Sequence, residues 1–282
     1  MPNAAAGQRA SRLLGVAPAR QAPLIAVAST LVFFGLLAGV VVNSPGWSRV
    51  RQAFLDEEVY RASFPEVASA FLVNVQLFSV AEAAILVVAL VIAILRGLPG
   101  PVFFPVRLLA IAYSDLFRGV PGVLVIFILG FGIPGLDLPG VPRSPFFWGV
   151  VALVLLYSAY VSEVYRAGIE SIHPSQEMAA RSLGLSRLDA LRFVIVPQAV
   201  RRVIPPLLND FIGLQKDTAL VSFIGVVEVF RQSQIDVSAT FNYTPYLATA
   251  LLFIVLTIPL ARLTDWLVAR DRRRFLALGG SG

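Results

Sequence analysis

Long apolar blocks separated by short polar ones dominate this chain. Residues 24–42, 68–95, 146–165 and 246–268 each run for roughly the 20 residues a helix needs to cross a hydrocarbon core. Two further blocks are interrupted. One begins near Arg107, meets Asp115, Arg118, Gly119 and Pro121, and continues to about Ile133. Irregular backbone at membrane depth is tolerated only where protein covers it or it lines a cavity. This block therefore predicts a tilted or lying helix up to Phe117, then the crossing itself. The other block, 204–226, is the most polar and holds Pro205, Pro206, Asn209, Asp210, Gly213, Gln215, Lys216, Asp217 and Thr218. Together the blocks predict an all-α, polytopic transmembrane helical bundle of about six spans.

The polar segments set the orientation. Residues 1–23 are rich in Ala, Arg and Pro and read as a disordered tail. The first apolar run exceeds the core of a secretory signal, about 7–15 residues, and reads as a retained span. Segment 43–65 falls outside, with Trp47, Val50, Phe54 and Leu55 near helical spacing against Arg51, Asp56, Glu57 and Glu58, the pattern of a short interfacial helix. Gly97, Pro99, Gly100, Pro101 and Pro105 make an inner link, 134–145 an outer turn, and 228–243 a second outer segment. Arg270, Arg272, Arg273 and Arg274 return inside. Arginine concentrates on the inner side in this layout, as cytoplasmic loops require, which places both termini in the cytoplasm. Trp47 and Trp148 fit interface anchors. No tandem repeat and no pair of inverted halves is visible.

Composition narrows the chemistry. Charged residues make up 14% of the chain, against about 25% in soluble domains. The net charge of +6 then belongs to cytoplasmic loops and not to nucleic-acid binding. Without cysteine there is no disulfide or thiolate metal site. One histidine, His173, rules out HExxH and any two-histidine metal site, and reads as a solvated loop residue. The only lysine, Lys216, is followed by Asp217, so no P-loop exists. No catalytic or metal site is expected, and ATP could act only through another subunit.

The stretch 163–217 stands apart, with six arginines from Arg166 to Arg202 besides the only histidine and lysine. Pro174 suits a first helical position, and Gln176 to Leu183 are helix formers. Gly184 follows where a residue with φ > 0 ends a helix. Ser186 can cap a second helix, with Asp189 in the capping-box place. Met178, Ala179, Leu183 and Leu185 form a small apolar face; Arg181, Arg187, Arg192, Arg201 and Arg202 form a cationic one. Helix–Gly–helix also occurs in DNA readers, but a loop tied at both ends to spans argues against that.

SQEMAARSLGLS, followed by VPQAVRRVIPPLLNDFIGLQKDTALVSFIGVVEV, resembles the EAA loop of ABC importer permeases, closest to the polar amino acid permease group. NVQL at Asn74–Leu77, LFRGVP at Leu116–Pro121 and AYVSEVYRAGIESI at Ala159–Ile172 fit the same family. The resemblance implies a type I ABC importer permease-like fold, with a core over 66–270, a coupling loop at about 169–200, an extra first span at 24–42, and cytoplasmic tails at 1–23 and 271–282. It also implies a plasma-membrane subunit of an importer for polar amino acids. Its partners would be cytosolic ATPases that bind ATP and Mg, a second permease, identical or a sister, and an extracytoplasmic binding protein. Pro174, Gln176, Glu177, Met178, Ala179, Ala180, Arg181, Gly184 and Ser186 would form the ATPase-coupling surface. The family's glutamate falls on Met178, with Glu177 one place early, about 100° around a helix. An ion-coupled secondary amino acid carrier, with Glu82 or Asp217 as coupling group, is the alternative.

Within the spans, Asp210, Gly213 and Asp217 share one face at spacing 0, 3, 7. Intramembrane charges usually face a bundle interior or a wet path. This face either lines the translocation route or forms a structural knot with Lys216. The path candidates are Glu82, Tyr160, Glu163, Asn209, Asp210, Gln215, Lys216, Asp217 and Thr218. Glu82 is either a neutral, hydrogen-bonded acid between helices or a contact for a cationic substrate. Glu163 either gates or pairs locally with Arg166. Arg118, Gly119 and Pro121 are gate candidates, Arg118 being otherwise a headgroup anchor.

Overall fold

The computed structural model describes residues 22–279, with side chains over 23–270. Most of the expected N-terminal tail and the side chains of Arg272, Arg273 and Arg274 lie outside the described residues. The described part is helical throughout, without strands, and divides into two units at Asp56. The first unit contributes α1 (Ala22–Val42) and the short α2 (Trp47–Phe54). α1 is apolar on every side, and its span window is not buried. α2 carries Arg49 and Arg51 beside Trp47, Val50 and Phe54.

The second unit begins with α3 (Glu57–Arg96). Glu57 and Glu58 occupy its first turn and Arg96 its last, as the helix dipole favours. At about 1.5 Å per residue its forty residues reach well beyond the ~30 Å of a hydrocarbon core. The helix therefore starts eleven residues before the span expected from 68, and Pro65 lies within it. Val67, Ala70, Asn74, Leu77, Ala81, Ile85, Ala89 and Ile92 are buried at three- and four-residue spacing, one stripe of the helix. Leu72, Val80, Val87, Val91 and Ile94 stay exposed on the other faces. That is the distribution of a helix with protein on one side and lipid on the other.

α4 (Phe104–Gly119) and α5 (Gly122–Gly135) meet at an angle of 105°. The elbow follows from its residues. Val120 is extended and Pro121 starts the next helix, so the backbone cannot run straight through. α5 contains a π turn, Ile128–Gly132. α6 (Pro145–Glu170) starts at Pro145, capped by Ser144, whose hydroxyl accepts from Phe147 N. Three residues later comes α7 (Pro174–Ser182), then α8 (Arg187–Ala190).

The second loop helix is therefore only one turn long. It runs through a π turn, Leu191–Ile195, into α9 (Val196–Asp217) and a 3₁₀ segment, Thr218–Ile224, ended by Gly225 at φ 94°. This is the expected fifth span, displaced toward the N-terminus because Pro197, Pro205 and Pro206 are absorbed into the helix. α10 (Val229–Thr240) and α11 (Thr244–Gly279) complete the chain. Among the described residues, four helices are long and apolar enough to cross a membrane, five if the bent pair counts as one. α9, which carries Arg201, Arg202, Asp210, Lys216 and Asp217, is not among them.

Leu77, Ile85, Ile126, Leu153, Leu214 and Val221 are fully buried and form the centre, where α3, α5, α6, α9 and the 3₁₀ segment converge. Helix approach is close enough there that a Cβ on Gly149 would overlap Val221, and one on Gly130 would overlap Ile224.

Candidate functional site

α9 carries the polar face and α6 the aromatic one opposite. A pocket of about 270 Å³ lies between them, lined by Tyr157, Tyr160, Asn209, Asp210, Gly213 and Asp217, with Gly122 and Leu156 at its α5 side. Tyr157 Oη donates to Asp217 Oδ2 at 2.8 Å. Gly213 sits against the same phenol: a Cβ there would stand 3.1 Å from the Tyr157 oxygen. Asp210 Oδ2 is buried without a hydrogen-bond partner. Glu82, half-buried on α3, is within electrostatic reach of Asp210. Lys216 is exposed and makes no ion pair with either aspartate. The pocket wall thus presents carboxylates, an amide and phenols, and no cation.

Not every path candidate faces this pocket. Gln215 is buried toward α11, where Thr257 Oγ1 donates to its Oε1 at 2.8 Å. Thr218 is buried against α3: Asn74 Nδ2 donates to Thr218 Oγ1 at 3.0 Å and to Glu228 Oε2 at 2.8 Å. Glu228, expected in an outer segment, is instead fully buried. Its carboxylate caps α10, accepting from Phe230 N at 3.0 Å and Arg231 N at 2.8 Å. Val229 N donates to Asn74 Oδ1 at 3.0 Å. α3, the 3₁₀ segment and α10 are thus tied at one point, which is structural.

Glu163 lies at the far end of α6 from Ser144. Three arginines reach it: Arg96 Nη1 at 2.5 Å from the last turn of α3, Arg118 Nη1 at 3.2 Å from the last turn of α4, and Arg166 Nη2 at 2.7 Å from its own helix. Nothing local in the sequence distinguishes Arg96 from a headgroup anchor, so its part in this cluster emerges only from the fold. Arg118 is a carboxylate partner in this structure. Gly119 and Pro121 sit at the elbow just beyond it.

The loop hangs from this end of α6 through Ser171, Ile172 and His173. His173 caps α7, its Nδ1 accepting from Ser175 N at 3.2 Å. Gly184 has φ 89°, with open space where a Cβ would stand. Ser186 Oγ accepts from Asp189 N at 3.1 Å and donates to Asp189 Oδ2 at 2.6 Å. Glu177 faces Arg187 across the bend at 3.8 Å. Ala180 is buried, whereas Pro174, Gln176, Met178, Ala179, Arg181, Leu183 and Leu188 are exposed. Met178, Leu183 and Leu188 are thus uncovered apolar residues on an otherwise polar loop.

Residues 87–273 match the family described as binding-protein-dependent transport system inner membrane component. The chain belongs to that family and is a membrane-spanning permease component. It is 36% identical over 199 residues to the probable glutamine ABC transporter permease protein GlnM of Bacillus subtilis, covering 70% of this chain and 88% of that protein. It is 38% identical over 157 residues to the arginine transport system permease protein ArtQ of the same organism, covering 55% and 71%. A crystal structure of an amino acid ABC transporter with histidines superposes with a TM-score of 0.66 at 33% identity, over 73% of this chain and 94% of that one. The inward-facing MetNI methionine ABC transporter, at 15% identity and TM-score 0.54, shares the fold. Family membership favours an importer permease over the ion-coupled carrier.

Proposed function

We propose that this chain is the permease subunit of an ABC importer for polar amino acids in the plasma membrane, with both termini cytoplasmic. Two permeases, identical or a sister pair, would form the path. Two cytosolic ATPases holding ATP and Mg would drive it, and an external binding protein would deliver substrate. The observation that carries the reading is the match in sequence and fold to permeases named for glutamine and arginine transport.

The pocket between α6 and α9 supports a route along Tyr160, Asn209, Asp210 and Asp217, with Glu82 adjacent. A charged group at membrane depth is costly unless water or a counter-charge reaches it. A zwitterionic cargo supplies an ammonium to these carboxylates as it passes. The exposed face of α7, with Met178, Ala179 and Arg181, supports docking into an ATPase groove, and Gly184 sets the angle at which α7 is held.

The test is ATP hydrolysis by the complex in proteoliposomes, with its binding protein and a panel of amino acids. Stimulation by one or a few polar amino acids, with matching uptake, is the expected result. Uptake driven by a proton or Na⁺ gradient without ATP would overturn the reading.

A further inference from the structure

We propose that Glu163, held by Arg96, is the joint that transmits movement of the loop to the helices that close the path; the inference rests on the importer reading above. The geometry singles out this carboxylate. It lies two turns before the end of α6, and α7 begins four residues after that end. Its oxygens divide the work. Oε2 accepts from Arg166 Nε at 3.0 Å and Nη2 at 2.7 Å, while Arg166 Nη1 continues to Glu170 Oε2 at 2.6 Å. This ladder stiffens the segment that leads to the loop. Oε1 accepts from Arg96 and Arg118, and so ties that stiff segment to the ends of α3 and α4.

The contacts differ in burial. Arg96 is 11% exposed and Glu163 18%, whereas Arg118 is 42% exposed. A screened, exposed pair contributes little; removing one partner of a nearly buried pair leaves a charge uncompensated. The link to α3 is therefore the strong one. Arg96 Nε is buried without a partner of its own, so this guanidinium depends on Glu163.

A second seam secures the other side of α6. A Cβ on Gly168 would overlap Val203 of α9, and Arg202 donates to the Ser171 carbonyl. Between the two lies a pocket of about 380 Å³ lined by Glu163, Ala167, Gly168, Ser171, Arg202 and Pro206. The base of α6 is thus gripped from α9 and linked electrostatically to α3 and α4, with free volume beside the link. A displacement of the loop reaches α3 and the α4–α5 elbow through Glu163, because its carboxylate is the group that ties the base of α6 to Arg96 and Arg118, while the free volume beside it leaves α6 room to shift.

Such a residue positions other groups and touches no substrate. Its loss should lower transport per ATP, whereas a folding defect lowers hydrolysis and transport together. The experiment measures hydrolysis and uptake of L-glutamine, L-arginine and L-glutamate by the reconstituted complex, using whichever amino acid the wild type carries. Glu163→Gln should keep ATPase copurification and basal hydrolysis within about twofold while uptake per ATP falls tenfold or more. Arg96→Gln should match it, and the double variant should be no worse than either single one, as expected for one shared contact. Glu170→Gln, which removes an exposed rung of the ladder, should leave the ratio within twofold. If Glu163→Gln does not assemble, Arg96→Lys, which keeps the charge and loses the fork, should lower the ratio severalfold. An unchanged ratio in Glu163→Gln or Arg96→Lys, or an equal loss in Glu170→Gln, overturns the proposal. A wild type that carries none of the three amino acids counts against the substrate reading and leaves the comparison of ratios to be made with the amino acid it does carry.

Discussion

Asn74 shows what a single side chain does in this bundle. Both ends of its amide are used: the nitrogen donates to Thr218 and Glu228, and the oxygen accepts from Val229 N. Glu228 is fully buried and depends on those donors. Asn74→Ala would leave a buried N–H orphaned and remove a donor from a buried carboxylate, at about 2–4 kcal/mol. The expected outcome is a clear fall in the thermal unfolding midpoint in detergent, and Asn74→Asp should fall further because a second carboxylate faces Glu228. A midpoint equal to wild type for Asn74→Ala would mean that water replaces the amide. This knot was not legible in the sequence. Asn74 belonged to a recognisable NVQL, but its partners lie 144 and 154 residues away, and a lone Glu after a span reads as an outer charge. Asp210, Gly213 and Asp217 were legible as one face because helical spacing alone sets it. Tyr157, the partner of Asp217, was not, because pairing between helices has no local signature.

At the scale of the element, the loop was the most legible part. Pro174, Gly184 and Ser186 each act through local backbone geometry. The elbow was readable for the same reason, from Gly119 and Pro121. The π turns and the 3₁₀ segment were not, since they answer to packing between helices. Gly184 carries a prediction at this scale. Its φ of 89° strains any L side chain, yet no atom lies within 4 Å of the place a Cβ would take, so the effect of substitution is conformational and not steric. A Cβ there costs roughly 1–2 kcal/mol, and a branched one more, in a loop outside the spans. Gly184→Val should therefore reach the membrane at near wild-type abundance, copurify poorly with the ATPase and lose most uptake. Met178→Ala removes an exposed side chain, 62% accessible, and should cost less, because the docking area it loses is worth about 25 cal/mol per Å². The measurement is copurification and uptake at matched membrane levels. A larger loss for Met178→Ala would make residue 178 the principal anchor.

The whole molecule is defined by which side each segment faces. Within the second unit, polar groups gather at the α6–α9 pocket, around Glu163, at the Asn74–Glu228 knot and in the loop. Arginine placement predicts that the loop and both termini face the cytoplasm. The chain has no cysteine, so single cysteines report cleanly. Ser186, exposed in the loop, and Ser11 and Ser281 near the termini are the inner positions. Ser233, in the segment expected outside, is a poor reporter: it is fully buried and shares a 2.5 Å hydrogen bond with Thr249. Ser238, five residues further along α10, is exposed and replaces it. In intact cells a membrane-impermeant maleimide should label Ser238→Cys and leave the other three unlabelled until the membrane is opened. Labelling of Ser186→Cys from outside would invert the molecule. It would put the loop out of reach of cytosolic ATPases, and with it both the importer reading and the transmission through Glu163 would fall.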